Sequence, residues 1–217
     1  MKLYFDPITV NCRKVIAGLD LLGASYESEI VDYFAGEHKA DAYLEINPNA
    51  ELPALIDADL VLWESNAILV YAAEKAGKTS AYPADPKIRA DIQRWLLWEA
   101  SKWFACCYVY IVENVVKPIF DDTPDEAALQ AHEPTFLHQA GILEARLSGR
   151  DWLSAGHVTL ADIAVAAPMH LHPFQKLPLG SCPNLTAWMT RVEALPCWKN
   201  SDPAPHIPPE MLAKLTG

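Results

Sequence analysis

The run Asn47-Pro48-Asn49-Ala50-Glu51-Leu52-Pro53-Ala54-Leu55 decides how this chain folds. Pro53 cannot donate to a sheet ladder, so it fits the start of a strand or a turn with a cis peptide bond. In the cis case the main chain of Leu52 faces outward and can pair with an extended peptide. An ordinary loop proline is the alternative. Just downstream, Ala54-Leu55-Ile56 and Leu60-Val61-Leu62 flank Asp57-Ala58-Asp59, the pattern of a hairpin. Ser65 to Ala76 then reads as a helix, with Ala67, Ile68, Tyr71 and Ala72 on one face and Gly77 beyond it. Upstream, Leu3-Tyr4-Phe5 reads as a buried strand. Val15, Ile16, Leu19 and Leu22 form a helical stripe closed by Gly23. Tyr26 to Val31 is a second strand, and residues 37–45 suit a short helix. The order β-α-β-α-β-β-α predicts an α/β layer with a mixed four-stranded sheet.

Working toward the C-terminus, the composition shifts from Lys78 to Pro86 to Thr, Ser, Pro and Asp, which reads as a linker. Everything beyond it looks helical. Asp85 and Pro86 supply an N-cap and an N1 proline. Ile88, Ile92, Trp95, Leu96, Trp103, Cys107 and Tyr110 then keep helical spacing for roughly seven turns. Thr123-Pro124-Asp125-Glu126 has the form of a capping box, and Pro134 is expected to kink or split the helix it starts. Thr159-Leu160-Ala161-Asp162 is another capping box, with Val158 and Ile163 placed as a hydrophobic staple. Four prolines between Asp202 and Pro209 exclude regular helix there. The expected organisation is a small α/β domain over 1–77, a linker over 78–86 and an all-helical domain over 87–217.

A chain of 217 residues buries enough apolar surface to fold without disulfides or metal. With 51% hydrophobic and 21% charged residues it is globular rather than disordered. Seventeen basic against 28 acidic residues give 17 − 28 = −11, a field that repels phosphate backbones and anionic lipid. Neither nucleic acid nor a membrane is an expected partner. No apolar run approaches the roughly 20 residues that span a bilayer. Asp6 stands where a secretory signal would be apolar, so the expected location is cytoplasmic. Five cysteines without a CxxC spacing argue for reduced thiols, against both a disulfide framework and a zinc site. His170 and His172, before Pro173, suit a surface turn better than a metal pair.

Two segments could carry chemistry. At Glu64-Ser65 a helix opens, and its free amides beside a serine hydroxyl form a carboxylate site; simple capping is the plainer reading. Thr9-Val10-Asn11-Cys12 lies between the first strand and the first helix, where a helix end favours a thiolate. Bringing a thiol from about 8.5 to about 6.5 takes roughly 2.7 kcal/mol. One charge-assisted hydrogen bond of about 1.5–3 kcal/mol with a helix-end contribution of about 0.3–1 supplies that. A hydroxyl at Thr9 or the amide of Asn11 therefore suffices without a metal.

Together these segments resemble the glutathione transferase family, its bacterial theta-like or nu-like members in particular, over nearly the whole chain. NPNAELPAL at 47–55 resembles the family's loop before its cis-proline. WESNAILVYAAEK at 63–75 resembles its Glu-Ser helix start, and HVTLADIAVA at 157–166 its capping box and staple. The resemblance implies a thioredoxin-like first domain and glutathione as co-substrate, with no metal. Leu52 would pair its backbone with the cysteinyl unit across Pro53. Glu64 and Ser65 would hold the γ-glutamyl end, and His38 would meet the glycine carboxylate. Ala50 and Glu51 depart from the family pattern of glycine and a basic residue, and an acid there does not help bind a peptide with two carboxylates. Thr9 is the implied hydroxyl donor to the thiolate, with Asn11 as auxiliary and Cys12 as the rival group. Trp103, Phe104, Cys107 and Tyr108 would wall the second substrate, each with a core or interface role as the alternative. The implied function is a homodimeric detoxification enzyme joining glutathione to a small hydrophobic electrophile. Glutathione-dependent disulfide reduction and a non-catalytic binding module are the other readings.

Overall fold

Strand β1 (Lys2–Phe5) runs inside a four-stranded sheet of order β2-β1-β3-β4. It lies parallel to β2 (Glu27–Ile30) and antiparallel to β3 (Ala54–Asp57), which pairs with β4 (Leu60–Trp63). Leu3 faces Leu55 across the ladder, and both are buried. The computed structural model describes residues 1–77 and 79–216. Lys78, the expected first residue of the linker, and Gly217, the last of the helical half, lie outside the described residues.

The parallel pair β1–β2 needs a crossover, and α1 (Val10–Leu22) provides it. Gly23 ends that helix at φ 63, a left-handed position that glycine adopts without steric cost. Gly18 lets α1 lie against α3 (Ser65–Ala76), since a Cβ there would stand 2.3 Å from Leu69 Cδ2. The buried face of α3 is Ile68, Leu69, Ala72 and Ala73, so the expected stripe is rotated: Ala67 is exposed and Tyr71 half-buried. The single helix expected over 37–45 is two pieces, a 3-10 turn (Glu37–Lys39) and α2 (Asp41–Leu44). Ala40 between them is extended at φ −70, ψ 147, which lets both His38 and Tyr43 reach the interior.

The helical half opens on α4 (Pro86–Trp98), whose Asp85 cap accepts from Lys87 N–H and Ile88 N–H. A π turn (Glu99–Trp103), α5 (Phe104–Ile111), a second π turn (Val112–Val116) and α6 (Lys117–Ile119) continue it without a break. The rod thus outruns the seven turns its spacing suggests. Each π turn winds more residues than an α turn, so it shifts the faces that follow. Helix α7 (Glu126–Leu147) is capped by the Asp125 carboxylate, which accepts from Ala128 N–H at 3.0 Å. The cap therefore falls two residues beyond the expected Thr123. Pro134 does not split α7, because Phe136, Ala140, Leu143 and Leu147 anchor it in the core at more than the cost of one lost bond.

The capping box at the start of α8 (Leu160–Ala166) is present, with Asp162 Oδ2 accepting from Thr159 N–H at 2.9 Å. After the 3-10 turn Ala167–Met169 come α9 (His172–Gln175), α10 (Pro183–Ala194) and α11 (Pro196–Asn200). The proline-rich stretch holds only a 3-10 turn, Ala204–His206, before α12 (Pro209–Thr216). One apolar cluster runs through both halves, joining Leu3, Val15 and Ile68 to Trp103, Phe136 and Trp188. Arg13 on α1 sits inside it. Its guanidinium donates to the carbonyls of His170 at 3.1 Å and Trp198 at 3.4 Å, and lies 4.3 Å over the Trp198 ring.

Candidate functional site

A cavity of about 790 Å³ opens between the two halves. Its polar side is built from the first turn of α1, the 47–53 loop and the start of α3. In that loop the Glu51 carbonyl accepts from Tyr43 Oη and Asn47 Nδ2, both at 2.7 Å, and the Leu52–Pro53 bond is cis. Ala50 takes a left-handed φ of 55, which accounts for glycine being the easier residue there. The main-chain N–H and C=O of Leu52 make no hydrogen bond among the described residues, though the residue is buried and lines the cavity. Glu64, the cap residue of α3, stands at φ 71, a strained position for a non-glycine residue and one that recurs at functional sites.

Thr9, Asn11, His38, Leu52, Glu64 and Ser65 all line this cavity, so residues the sequence scatters over 57 positions of the chain are brought together. The Thr9 hydroxyl donates to the Asp6 carbonyl at 3.3 Å, long for an O–H···O bond and easily exchanged for a better acceptor. Asn11 Oδ1 accepts from Ser65 Oγ at 3.4 Å. His38 stacks on Tyr33 with ring centres 4.3 Å apart, its Nδ1 buried without a partner. Burial first, then Lys39 beside it, lowers the His38 pKa. Pro53 lines a small adjoining hollow with Asn49 and Trp63.

Cys12 stands elsewhere. It is fully buried, its Sγ accepts from Asp6 N–H at 3.3 Å, and it does not line the cavity. Burial pushes its thiol up to about 12, opposed by the Thr9 hydroxyl and the Asp6 amide. That is the reverse of an activated thiol. Trp103 and Cys107 also face away, fully buried, with Trp103 Nε1 donating to Val165 O at 3.0 Å. The cavity face of the rod is instead Phe104, Tyr108, Ile111 and Val115, and α12 adds Met211 and Leu215. The expected surface turn at His170 is a correction too: that residue is 8% exposed, and His172 pairs with Glu193 at 2.9 Å. Among the described residues no cluster of His, Cys, Asp and Glu could hold a metal. No described helix is long and apolar enough to cross a membrane.

The sequence reading misses the centre of the polar side. Lys14 Nζ donates to both Glu99 oxygens at 2.9 Å and to Ser65 Oγ at 3.1 Å, which occupies all three ammonium protons. Asn66 Nδ2 adds a bond to Glu99 Oε2 at 2.9 Å and one to Leu96 O at 2.9 Å. Lysine and glutamate are 85 residues apart, and the only local signal is a charged residue on the apolar side of each helix. Lys39 stands exposed at the cavity rim beside His38, and no local sequence pattern marks it.

A thioredoxin-like sheet, an all-helical second half and a shared cavity between them define a class that the comparisons identify. The model for the glutathione S-transferase N-terminal domain matches residues 2–74, and that for the C-terminal domain matches residues 102–196. A probable glutathione S-transferase GSTF2 from Oryza sativa subsp. japonica is 32% identical over 200 residues, covering 90% of this chain and 93% of the relative. Glutathione S-transferase 3 of Zea mays is 29% identical, covering 96% of both. Among solved structures, glutathione transferase F7 from Populus trichocarpa has a TM-score of 0.83 at 28% identity, over 92% of this chain and 96% of its own. The theta class enzyme from the citrus canker pathogen Xanthomonas axonopodis pv. citri, solved with glutathione bound, has 0.82 at 27%, over 93% and 96%. The chain belongs to the glutathione S-transferase family. Its function is that of a glutathione transferase, with glutathione as co-substrate.

Proposed function

We propose that glutathione lies extended across the polar side of the cavity and that Thr9 holds its thiolate. The observation that carries this is the free main chain of Leu52, placed to pair with a peptide between the start of α3 and the first turn of α1. The γ-glutamyl carboxylate meets Ser65 and the first amides of α3, where the helix dipole favours an anion. At the other end the glycine carboxylate meets His38 and Lys39, and Lys39 supplies the positive charge that Glu51 does not. Residues 1–77 form the glutathione-binding unit, 78–86 the joint and 87–217 the unit shaping the second site.

The sulfur so placed lies at the N-terminal end of α1, where Thr9 can turn its hydroxyl from Asp6 O to the thiolate and Asn11 stands beside it. Its lone pair forms the C–S bond to a small hydrophobic electrophile lying against Phe104 and Tyr108, whose rings stack at 5.3 Å. The pair of the bond broken at that carbon departs with a leaving group or moves to the neighbouring atom, which takes a proton from water. Cys12 takes no part, being buried and protonated. Exposed Val61, Trp63 and Leu97 support a homodimer, and the reduced cysteines fit a cytoplasmic setting. An ultraviolet titration with glutathione across pH tests the reading, with a saturable thiolate band persisting below neutral pH. Thr9→Ala should abolish that band and lower kcat about a hundredfold, while Ser65→Ala raises the glutathione KM about fivefold. Full activity in Thr9→Ala overturns the assignment.

A further inference from the structure

Asp6 follows strand β1 and is buried at 4% exposure, yet it does not line the cavity. Its two carboxylate oxygens face two different segments. Oδ1 accepts from Ile8 N–H at 2.8 Å, one residue before Thr9, and Oδ2 accepts from Tyr33 N–H at 2.9 Å. The Asp6 carbonyl accepts from both the N–H and the hydroxyl of Thr9, each at 3.3 Å. A carboxylate out of water is costly unless such bonds satisfy it, and bonds to a charged acceptor are the strong ones.

The Tyr33 bond holds the far wall of the cavity. Residues 32–39 are otherwise closed on themselves. Asp32 N–H donates to Glu37 Oε2 and Ala35 N–H to Asp32 Oδ1, both at 2.8 Å. Glu37 N–H donates to Asp32 O at 3.0 Å and Lys39 N–H to Gly36 O at 2.9 Å. Among the described residues, Tyr33 N–H to Asp6 is the one hydrogen bond that ties this segment to β1 or the loop after it. The segment carries the stacked rings of Tyr33 and His38, with Lys39 beside them. Burial and then Lys39 lower the His38 pKa and the Asp6 charge opposes them, so the carboxylate lies within electrostatic reach of that ring.

We propose that Asp6 is a positioning residue for the glutathione reaction. By clamping Ile8 N–H and Tyr33 N–H together, it sets Thr9 against the sulfur and the Tyr33–His38 stack against the glycine carboxylate. This rests on the reading that Thr9 holds the thiolate and that His38 and Lys39 meet the glycine end. Asp6 itself touches no substrate and moves no proton. An amide has one oxygen acceptor, and its NH2 opposes whichever N–H remains, so Asp6→Asn gives up one of the two bonds. Asp6→Ala gives up both.

The test uses two readouts on wild type, Asp6→Asn, Asp6→Ala and Asp162→Ala. The ultraviolet thiolate band gives the apparent pKa of the bound glutathione thiol. Calorimetry gives the affinity for S-methylglutathione, which has no ionisable sulfur, and for its glycine ethyl ester, which lacks the glycine charge. Asp6→Ala should raise the thiol pKa by about one pH unit and weaken S-methylglutathione about tenfold, but its ester less than about threefold. Asp6→Asn, which frees one loop, should show one of the two changes. Asp162→Ala, a stability control whose residue lies away from the cavity, should show neither. A lowered melting temperature with both readouts at wild-type values overturns the proposal, and Asp6→Asn decides if Asp6→Ala does not fold. Equal losses for S-methylglutathione and its ester, or the same shifts in Asp162→Ala, overturn it too. A wild type that shows no thiolate band, or binds the ester as tightly as the free acid, overturns the reading beneath it.

Discussion

Two carboxylates lie at the centre of this molecule, both fully out of water and each satisfied by a different route. Asp162 accepts from Thr159 N–H, Thr159 Oγ1, Leu153 N–H and Trp188 Nε1, all at 2.9–3.0 Å. Burial raises its pKa, and these four bonds pull the other way. Glu99 instead meets the Lys14 ammonium and the Asn66 amide, so its charge is balanced by another charge. The difference is one of reach. Asp162 closes the start of its own helix and ties in two neighbours from the same half of the chain. Glu99 joins α1, α3 and the first π turn at the cavity edge, so stability and substrate binding share one ion pair.

Substitutions should separate the two. Asp162→Ala strands three buried N–H donors and is expected to cost about 4 kcal/mol, lowering the melting temperature by roughly 10 °C with glutathione affinity unchanged. Lys14→Met leaves Glu99 buried with only an amide and should cost about 3 kcal/mol. The double change Lys14→Met with Glu99→Leu restores most of that stability. It still raises the glutathione KM, because Ser65 has lost its donor. A double variant with normal KM would reduce the pair to a structural one.

Cys12→Ala is the smallest perturbation, about 1 kcal/mol with kcat unchanged. Its thiol is held up to about 12, so its contribution to stability is whole below the ordinary value near 9 and is lost as pH rises toward 12. Denaturant titrations at pH 8 and pH 11 should therefore show a shallower alkaline loss in Cys12→Ala than in wild type. Rapid alkylation of native Cys12 at pH 7 would contradict this burial.

Legibility in the sequence follows the same division of near and far. The box at Thr159, the Asp85 cap, the hairpin turn and the Glu64-Ser65 helix start each lie within a few residues, and local rules found them. The Lys14–Glu99 pair spans 85 residues and has no local pattern. Trp103 and Cys107 share the helical stripe of Ile92, Trp95 and Leu96 and take their core alternative, whereas the cavity role that the resemblance implies falls to Phe104 and Tyr108. The turn at Glu99–Trp103 sends Glu99, Phe104 and Tyr108 to the cavity and Trp103 to the core. Thr123 lost the cap to Asp125 because two acids and a hydroxyl compete within four residues, and packing of α7 decides among them.

Arg13 has a consequence for biosynthesis. A ribosome that has released only the first unit presents α1 with a guanidinium and an ammonium side by side on an apolar surface. The carbonyls that receive Arg13 belong to residues 170 and 198, and the carboxylate that receives Lys14 belongs to residue 99. The sheet and its helices can form early, but they cannot be finished goods. Nearly the whole chain must emerge before the last of these cations finds its seat, so the first unit is completed only once the second has been made.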